Sequence, residues 1–379
     1  GIWKKLAQDL NPDSEDIIWF HAASLGEFEQ GRPLMEKIRA DKKERQKILV
    51  TFFSPSGYEV RKNAAFIDYA YYLPLDSPNH AQRFLSLVQP KMVIFIKYEF
   101  WYYYLKTVQD LGIPLILISA VFRSQQFFFK SRGKIFLELL KNYQQIFVQN
   151  QASLNLLVAK GLENVQLAPD TRYDRVYATA QKAQDIPLAQ QFKQNELLFV
   201  IGSSWEADLE VILPVLNAFP DPLKIIIAPH EIKERGLKKI EQSYQHKSIR
   251  YSQASKEDLS KYQMLIIDNI GLLASLYQYG DLAYVGGAFK EGLHNILEPA
   301  TFGLPIIFGK NHRAYPEARA LIDLGTAFSI QDQDSFGEIL KRLYQDPFLR
   351  EEIQRKNLQF IGENRGGTEI IYTYIQGQK

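Results

Sequence analysis

The chain has no cysteine, which excludes disulfides, thiolate metal ligands and cysteine nucleophiles together and fits a reducing compartment. No apolar run reaches the roughly 18 residues that a membrane-spanning helix needs. The sequence opens at Gly1-Ile2-Trp3-Lys4-Lys5-Leu6 with neither an initiator methionine nor a signal-peptide pattern. Charge of one sign is missing too: 45 Lys and Arg stand against 43 Asp and Glu, a net charge of +2. General attraction to nucleic acid is therefore not expected. The six histidines form no HExxH pattern and the acidic residues have no EF-hand spacing, so no protein-bound metal is expected. No glycine-rich stretch ends in Gly-Lys-Ser/Thr, and no dinucleotide fingerprint follows the first strand, which disfavours P-loop ATPases and dehydrogenases.

What is present reads as an ordinary globular chain, 46% hydrophobic and 23% charged. At 379 residues it exceeds the length at which one core stops growing, so two domains are expected. Short β-rich runs alternate with helical spacing throughout, the pattern of a doubly wound α/β protein. In the first half the expected strands are Ile17 to Ala22, Ile48 to Phe53, Ala70 to Leu73, Met92 to Ile96, Pro114 to Ser119, Ile146 to Gln149 and Val165 to Ala168. The stretch Asp170 to Asn195 has no strand pattern and is read as the linker. Alternation resumes with Leu197 to Ile201, Lys224 to Ala228, Met264 to Ile267, Leu282 to Val285, Pro305 to Phe308 and Ala327 to Ile330. The reading is two facing Rossmann-like domains, residues 1–175 and 196–355, with a central cleft. Terminal helices broken at Gly366-Gly367 follow, and residues 356–379 are expected to pack back toward the first domain.

Ligands of open α/β sheets sit beyond the carboxyl ends of the strands, so the residues just after each strand are the candidates. After the first comes His21-Ala22-Ala23-Ser24-Leu25-Gly26-Glu27. Glu27 at a helix start has two readings, a general base for an attacking hydroxyl or an acid that complements the helix dipole. Thr51 to Gly57 offers hydroxyls for a sugar or for a helix cap. Lys97-Tyr98-Glu99-Phe100-Trp101 puts charge and aromatic surface at the end of another strand, where Glu99 has two equal readings, orienting the acceptor or stabilising charge, and a structural ion pair with Lys97 or Arg123. The run Phe122-Arg123-Ser124 and Phe127 to Lys134 interleaves aromatic with basic residues, suited to a phosphorylated lipid surface or to a helix with a buried aromatic face.

In the second half Gly202-Ser203-Ser204-Trp205-Glu206-Ala207-Asp208 follows a strand and could receive phosphate or sugar at a helix N-terminus, and Ala228-Pro229-His230-Glu231 and Asp268 to Leu273 follow strands and are candidates for nucleotide contact. The most informative stretch runs from Gly286-Gly287 to Asn295-Ile296-Leu297-Glu298-Pro299-Ala300. A glycine-rich turn there meets an expected helix start, which favours a nucleotide phosphate, with Glu298 accepting from ribose hydroxyls.

The order of these motifs resembles the 3-deoxy-D-manno-octulosonic acid (Kdo) transferase family: His21 to Glu27, Thr51 to Gly57, Glu99-Phe100-Trp101, Ala228-Pro229-His230 and His294 to Ala300. The resemblance covers nearly the whole chain. It implies a GT-B glycosyltransferase that moves Kdo from CMP-Kdo to a lipid A precursor in lipopolysaccharide synthesis, at the cytoplasmic face of the inner membrane of a Gram-negative bacterium. It further implies Glu27 as general base, with Glu99 and Arg172 assisting the transition state. Pro229, His230, Ile270, Gly271, Leu272, Asn295, Ile296, Leu297 and Glu298 would hold CMP, and Ser24, Gly26, Ser54 and Arg123 are the candidate acceptor contacts. No cofactor beyond the donor is expected. The chain departs from the family in carrying Arg172 where lysine is usual and Lys97 where an acid is common, and His230 follows Pro229 directly where an arginine often intervenes. Members usually carry an N-terminal membrane anchor, so Gly1 to Lys4 is expected to lie just after one. An epimerase on the same fold, another lipid-sugar glycosyltransferase and a nucleotide-binding scaffold are the alternatives.

Overall fold

The computed structural model describes residues 1–41, 45–97, 100–126, 129–130 and 133–377. Runs rich in branched and aromatic residues become strands buried on both faces, as parallel sheets covered by helices require. The first seven strands are β1 (Asp16–Ala22), β2 (Gln46–Phe52), β3 (Tyr69–Tyr72), β4 (Met92–Ile96), β5 (Leu115–Ala120), β6 (Gln145–Val148) and β7 (Val165–Leu167). All pair in parallel, in the order β3-β2-β1-β4-β5-β6-β7. On one face Trp19 packs against Phe84, Phe95 and Tyr104. On the other lie Ile18, Phe20, Phe28 and Ile94.

A second parallel sheet holds β8 (Leu198–Ser204), β9 (Lys224–Pro229), β10 (Ser248–Arg250), β11 (Met264–Ile266), β12 (Leu282–Val285), β13 (Ile306–Phe308) and β14 (Ala327–Ser329). Its order is β10-β11-β9-β8-β12-β13-β14. Each sheet reverses its winding once, between β1 and β4 in the first and between β8 and β12 in the second. Those reversals are where the loops of an open sheet part to admit ligand.

Two compact units result, Gly1–Arg175 with Asn364–Lys379, and Val176–Glu363. The stretch read as linker has no strand and is largely helical, Thr171–Gln181 and Pro187–Lys193, and the division between the units falls inside it, after Arg175. Strand β10 was not anticipated, its three residues containing one apolar side chain, Ile249. The last helix, Gly367–Gly377, sets Ile371 and Ile375 into the core around Phe28 and Ile94. The backbone N–H groups of Gly366 and Thr368 donate to Asp174 at 2.6 and 2.7 Å. Gly367 lies so close to Pro169 that a Cβ would meet its carbonyl oxygen at 2.0 Å.

Candidate active site

At the β1/β4 reversal the chain leaves β1 through Ala23 and enters the helix Leu25–Ala40. Ser24 caps that helix, its Oγ accepting from Glu27 N–H at 3.4 Å, while Glu27 Oε2 accepts from Ala23 N–H at 2.6 Å. This is the reciprocal pattern that a Ser-x-x-Glu sequence favours, displaced by one residue at the carboxylate end. Glu27 is therefore a cap, buried to 8% exposure and held at the ligand edge of the sheet. The loop after β2 is tied to the same place by Ser54 N–H donating to Ala23 O at 2.8 Å. Ser54 itself caps the helix Pro55–Arg61, accepting from Ser56 N–H at 3.3 Å. Gly26 is exposed, and a Cβ built on it would touch nothing within 4 Å, so packing does not require glycine there.

Arg172 reaches this neighbourhood through a chain of polar contacts. Gln30, one turn beyond Glu27, donates to Asp170 Oδ2 at 3.3 Å. Asp170 is gripped by Arg172 through Nε at 2.9 Å and Nη2 at 2.8 Å, and Thr171 Oγ1 donates to Gln30 O. Residues 27 and 30 share a helix face, so Glu27 and Arg172 flank one end of the same helix. Glu99 lies outside the described residues, as do Tyr98, Phe127, Phe128, Ser131 and Arg132. Lys97 has φ of 67° at the end of β4, a left-handed conformation that costs a non-glycine residue about 1–3 kcal/mol. Arg123 is exposed in the loop after β5, its N–H donating to Gln126. Beneath the loops His21 is fully buried, its Nδ1 2.9 Å from Thr51 Oγ1, and burial pulls its pKa down to about 3.

The second unit assembles its own edge at the β8/β12 reversal. Ser203 has φ of 51°, and the Cα of Gly286 comes so close that a Cβ would lie 2.3 Å from Ser203 O. Asp208, wholly buried, accepts from Trp205 N–H at 2.9 Å, Gly287 N–H at 2.9 Å and Tyr284 O–H at 2.7 Å. Burial pushes the Asp208 carboxyl above the usual range while these bonds oppose the shift. Above this anchor the His230 ring stacks over both Trp205, at 4.3 Å, and His294, at 4.5 Å. Trp205 Nε1 donates to His294 Nε2 at 2.9 Å. His294 is held neutral, its pKa lowered to about 4 by burial and by His230.

Pro229 closes β9, and His230 N–H donates to Ser204 O at 3.0 Å. Ile270 is 92% exposed beside Gly271, whose φ is 99°, and Leu272 precedes the short helix Leu273–Leu276. That helix leads to Tyr277, whose hydroxyl would lie 2.1 Å from a Cβ on Gly202 and which feels the charge of Glu298. Asn295 Nδ2 donates to Glu298 Oε1 at 3.1 Å, and Asn295 Oδ1 accepts from Leu297 N–H at 3.2 Å. One expectation changes here. The helix runs over Leu297–Thr301, and its five residues sum too few peptide dipoles to act as a strong phosphate site. Ile296 and Leu297 bury their side chains, leaving only backbone for a ligand. Thus the structure brings Pro229, His230, Gly271, Leu272, Asn295 and Glu298 to one sheet edge. Among the described residues no group of three or more His, Asp or Glu could hold a metal ion, and no helix is long and apolar enough to cross a membrane.

His21, Asp170, Trp205, Asp208 and His294 were given no individual role from sequence, although all but Asp170 lie within the candidate motifs. Each owes its place to contacts distant in the chain, and the available signal was weak: a polar residue within a few positions of a strand's carboxyl end.

Residues 2–175 match the family described as 3-deoxy-D-manno-octulosonic-acid transferase (kdotransferase). The chain is 26% identical to the 3-deoxy-D-manno-octulosonic acid transferase of Aquifex aeolicus, over 89% of this chain and 88% of that one. It is 27% identical to the Haemophilus influenzae enzyme of the same name, over 95% and 86%. In fold it is similar to MurG of Acinetobacter baumannii, with a TM-score of 0.63 at 14% identity, covering 96% of this chain and 99% of that one. Two parallel seven-stranded Rossmann-like units, a first half that matches the Kdo transferase model and relatives along most of its length make the chain similar to the Kdo transferases, with the GT-B fold.

Proposed function

We propose that the chain transfers Kdo from CMP-Kdo to a lipid A precursor, inverting the configuration at the transferred carbon. The observation that carries the reading is Glu27, a buried carboxylate fixed by Ala23 N–H at 2.6 Å at the winding reversal of the first sheet. In the proposed step an acceptor hydroxyl gives its proton to Glu27 as its oxygen bonds to the anomeric carbon of Kdo, and the bond from that carbon to the CMP phosphate breaks on the opposite face. The N-terminal unit receives the acceptor, with Ser24, Gly26, Ser54 and Arg123 around it, and Arg172 and Glu99 assist charge development. The C-terminal unit holds CMP through Pro229, His230, Ile270 to Leu272 and Asn295 to Glu298. Stabilisation of the departing phosphate falls to the fixed N–H donors and side chains of the loops after β8 and β12. The work is placed at the cytoplasmic face of the inner membrane, where such an acceptor is made.

The test is transfer from CMP-Kdo, generated in place, to a tetra-acylated lipid A precursor, followed by stereochemical analysis of the product. Transfer with inversion supports the reading. Transfer with retention, or transfer only from other sugar nucleotides, contradicts it.

A further inference from the structure

Lys310 and Arg313 belong to the loop that leaves β13, a segment not assigned above. That loop is built into the sheet edge and does not hang free. Asn311 N–H donates to Ala288 O at 2.8 Å and its Nδ2 donates to Phe289 O at 2.7 Å. Gly309 sits where a Cβ would meet the Phe289 ring at 2.8 Å, and Tyr315 Oη would lie 2.8 Å from a Cβ on Gly292. The loop is thereby fastened at both ends to the glycine turn 286–292. Between the fastenings lies an open pocket of about 500 Å³ lined by Lys310, Asn311, His312, Arg313, Ala314 and Gln331. Two of those residues are cations and none is an anion. Among the described residues neither Lys310 nor Arg313 has a carboxylate within ion-pair distance, although the Asp332 carboxylate next to Gln331 feels the Lys310 charge. His312 packs against Phe308 at 5.5 Å, and its Nδ1 is shielded from solvent with no hydrogen-bond partner. A buried polar atom of that kind calls for a ligand or a polar neighbour.

Position narrows the ligand. The proposed nucleotide contacts follow β9, β11 and β12, and β13 is the next strand beyond β12. A donor whose phosphate meets the turn after β12 therefore has the neighbouring loop after β13 within reach of its sugar. The sugar in the family's description is an acid, and a planar carboxylate matches an arginine fork assisted by a lysine. We propose that Lys310 and Arg313 form the subsite for the carboxylate of the transferred sugar acid, an inference that rests on the donor reading above.

The experiment uses the full chain with donor generated in place, and measures the KM for donor together with the inhibition constant of CMP, which has the phosphate but no carboxylate. Both side chains are exposed, so Lys310→Ala and Arg313→Ala should keep the wild-type melting temperature. Each is expected to raise the donor KM about tenfold or more, as loss of a charge-assisted hydrogen bond does, while CMP inhibition stays unchanged. Lys310→Arg should restore most of the loss. Parallel weakening of CMP and donor would reassign the loop to the phosphate and overturn the proposal, as would unchanged values for both. Failure of the unaltered chain to transfer Kdo or to be inhibited by CMP would overturn the donor reading itself, and is seen before any variant is made.

Discussion

A carboxylate that accepts from Ala23 N–H at 2.6 Å is already immobile where a base would be used, so at Glu27 the cap and the proposed base are one group. The Ser24-x-x-Glu27 spacing was legible in the sequence as a helix start, because caps are local. The anchoring roles of Asp208 and His294 were not, since the contacts to Tyr284, Gly287 and Trp205 that give them span 76 to 89 residues. Asp208→Ala would leave Tyr284 O–H and the N–H groups of Trp205 and Gly287 without their acceptor. A loss of about 3 kcal/mol is expected, to be read from chemical unfolding. The buried His21 and the half-buried His294 give a pH prediction with a definite sign. His21 and His294 have folded-state pKa values near 3 and 4, below the usual 6.5, so below about pH 6.5 the unfolded chain binds protons that the folded chain refuses. Stability should then fall as pH drops from 6.5 toward 4, by up to about 1.4 kcal/mol per pH unit for each histidine. Unfolding midpoints in urea across that range would show it, and His294→Gln should flatten the slope.

At the scale of elements, the strands were readable because apolar runs bounded by turn residues carry their own signal, and β1 to β9 fall within a few residues of expectation. The three residues of β10 carry too little pattern to be read as a strand. The glycine turn after β12 was legible as a turn, but the reason for its glycines was not. Gly287 has φ of 95°, and a Cβ there would meet Gly292 O at 2.1 Å. Gly287→Ala must therefore move the turn, and with it the Asp208 and Asn311 attachments. It should destabilise the protein by more than about 1 kcal/mol and raise the donor KM more than it lowers kcat, measurable in steady-state transfer. The left-handed Lys97, Ser119 and Ser203 all fall at the carboxyl ends of β4, β5 and β8, the places where backbone strain is usually kept for ligand contact.

For the whole molecule, two units with separate cores share one chain, and the first is completed only by residues from the far end of the sequence. Removing residues 364–379 strips Ile371 and Ile375 from the first core and the N–H partners from Asp174. The loss should exceed about 4 kcal/mol and fall on the first unit, so limited proteolysis of the truncated chain should cut within residues 1–175 before residues 176–363. The division into α/β halves was legible from alternation alone, whereas the crossing of the last helix depends on apolar spacing that fits any helix and on a Gly367 packed on Pro169. The central claim concerns proton removal in the first unit, and Glu27→Gln tests it most directly, because an amide oxygen can still accept from Ala23 N–H but cannot take the acceptor's proton. The account predicts a variant with wild-type unfolding behaviour and Kdo transfer reduced at least about a hundredfold. A folded Glu27→Gln chain that transfers Kdo at the wild-type rate would contradict it.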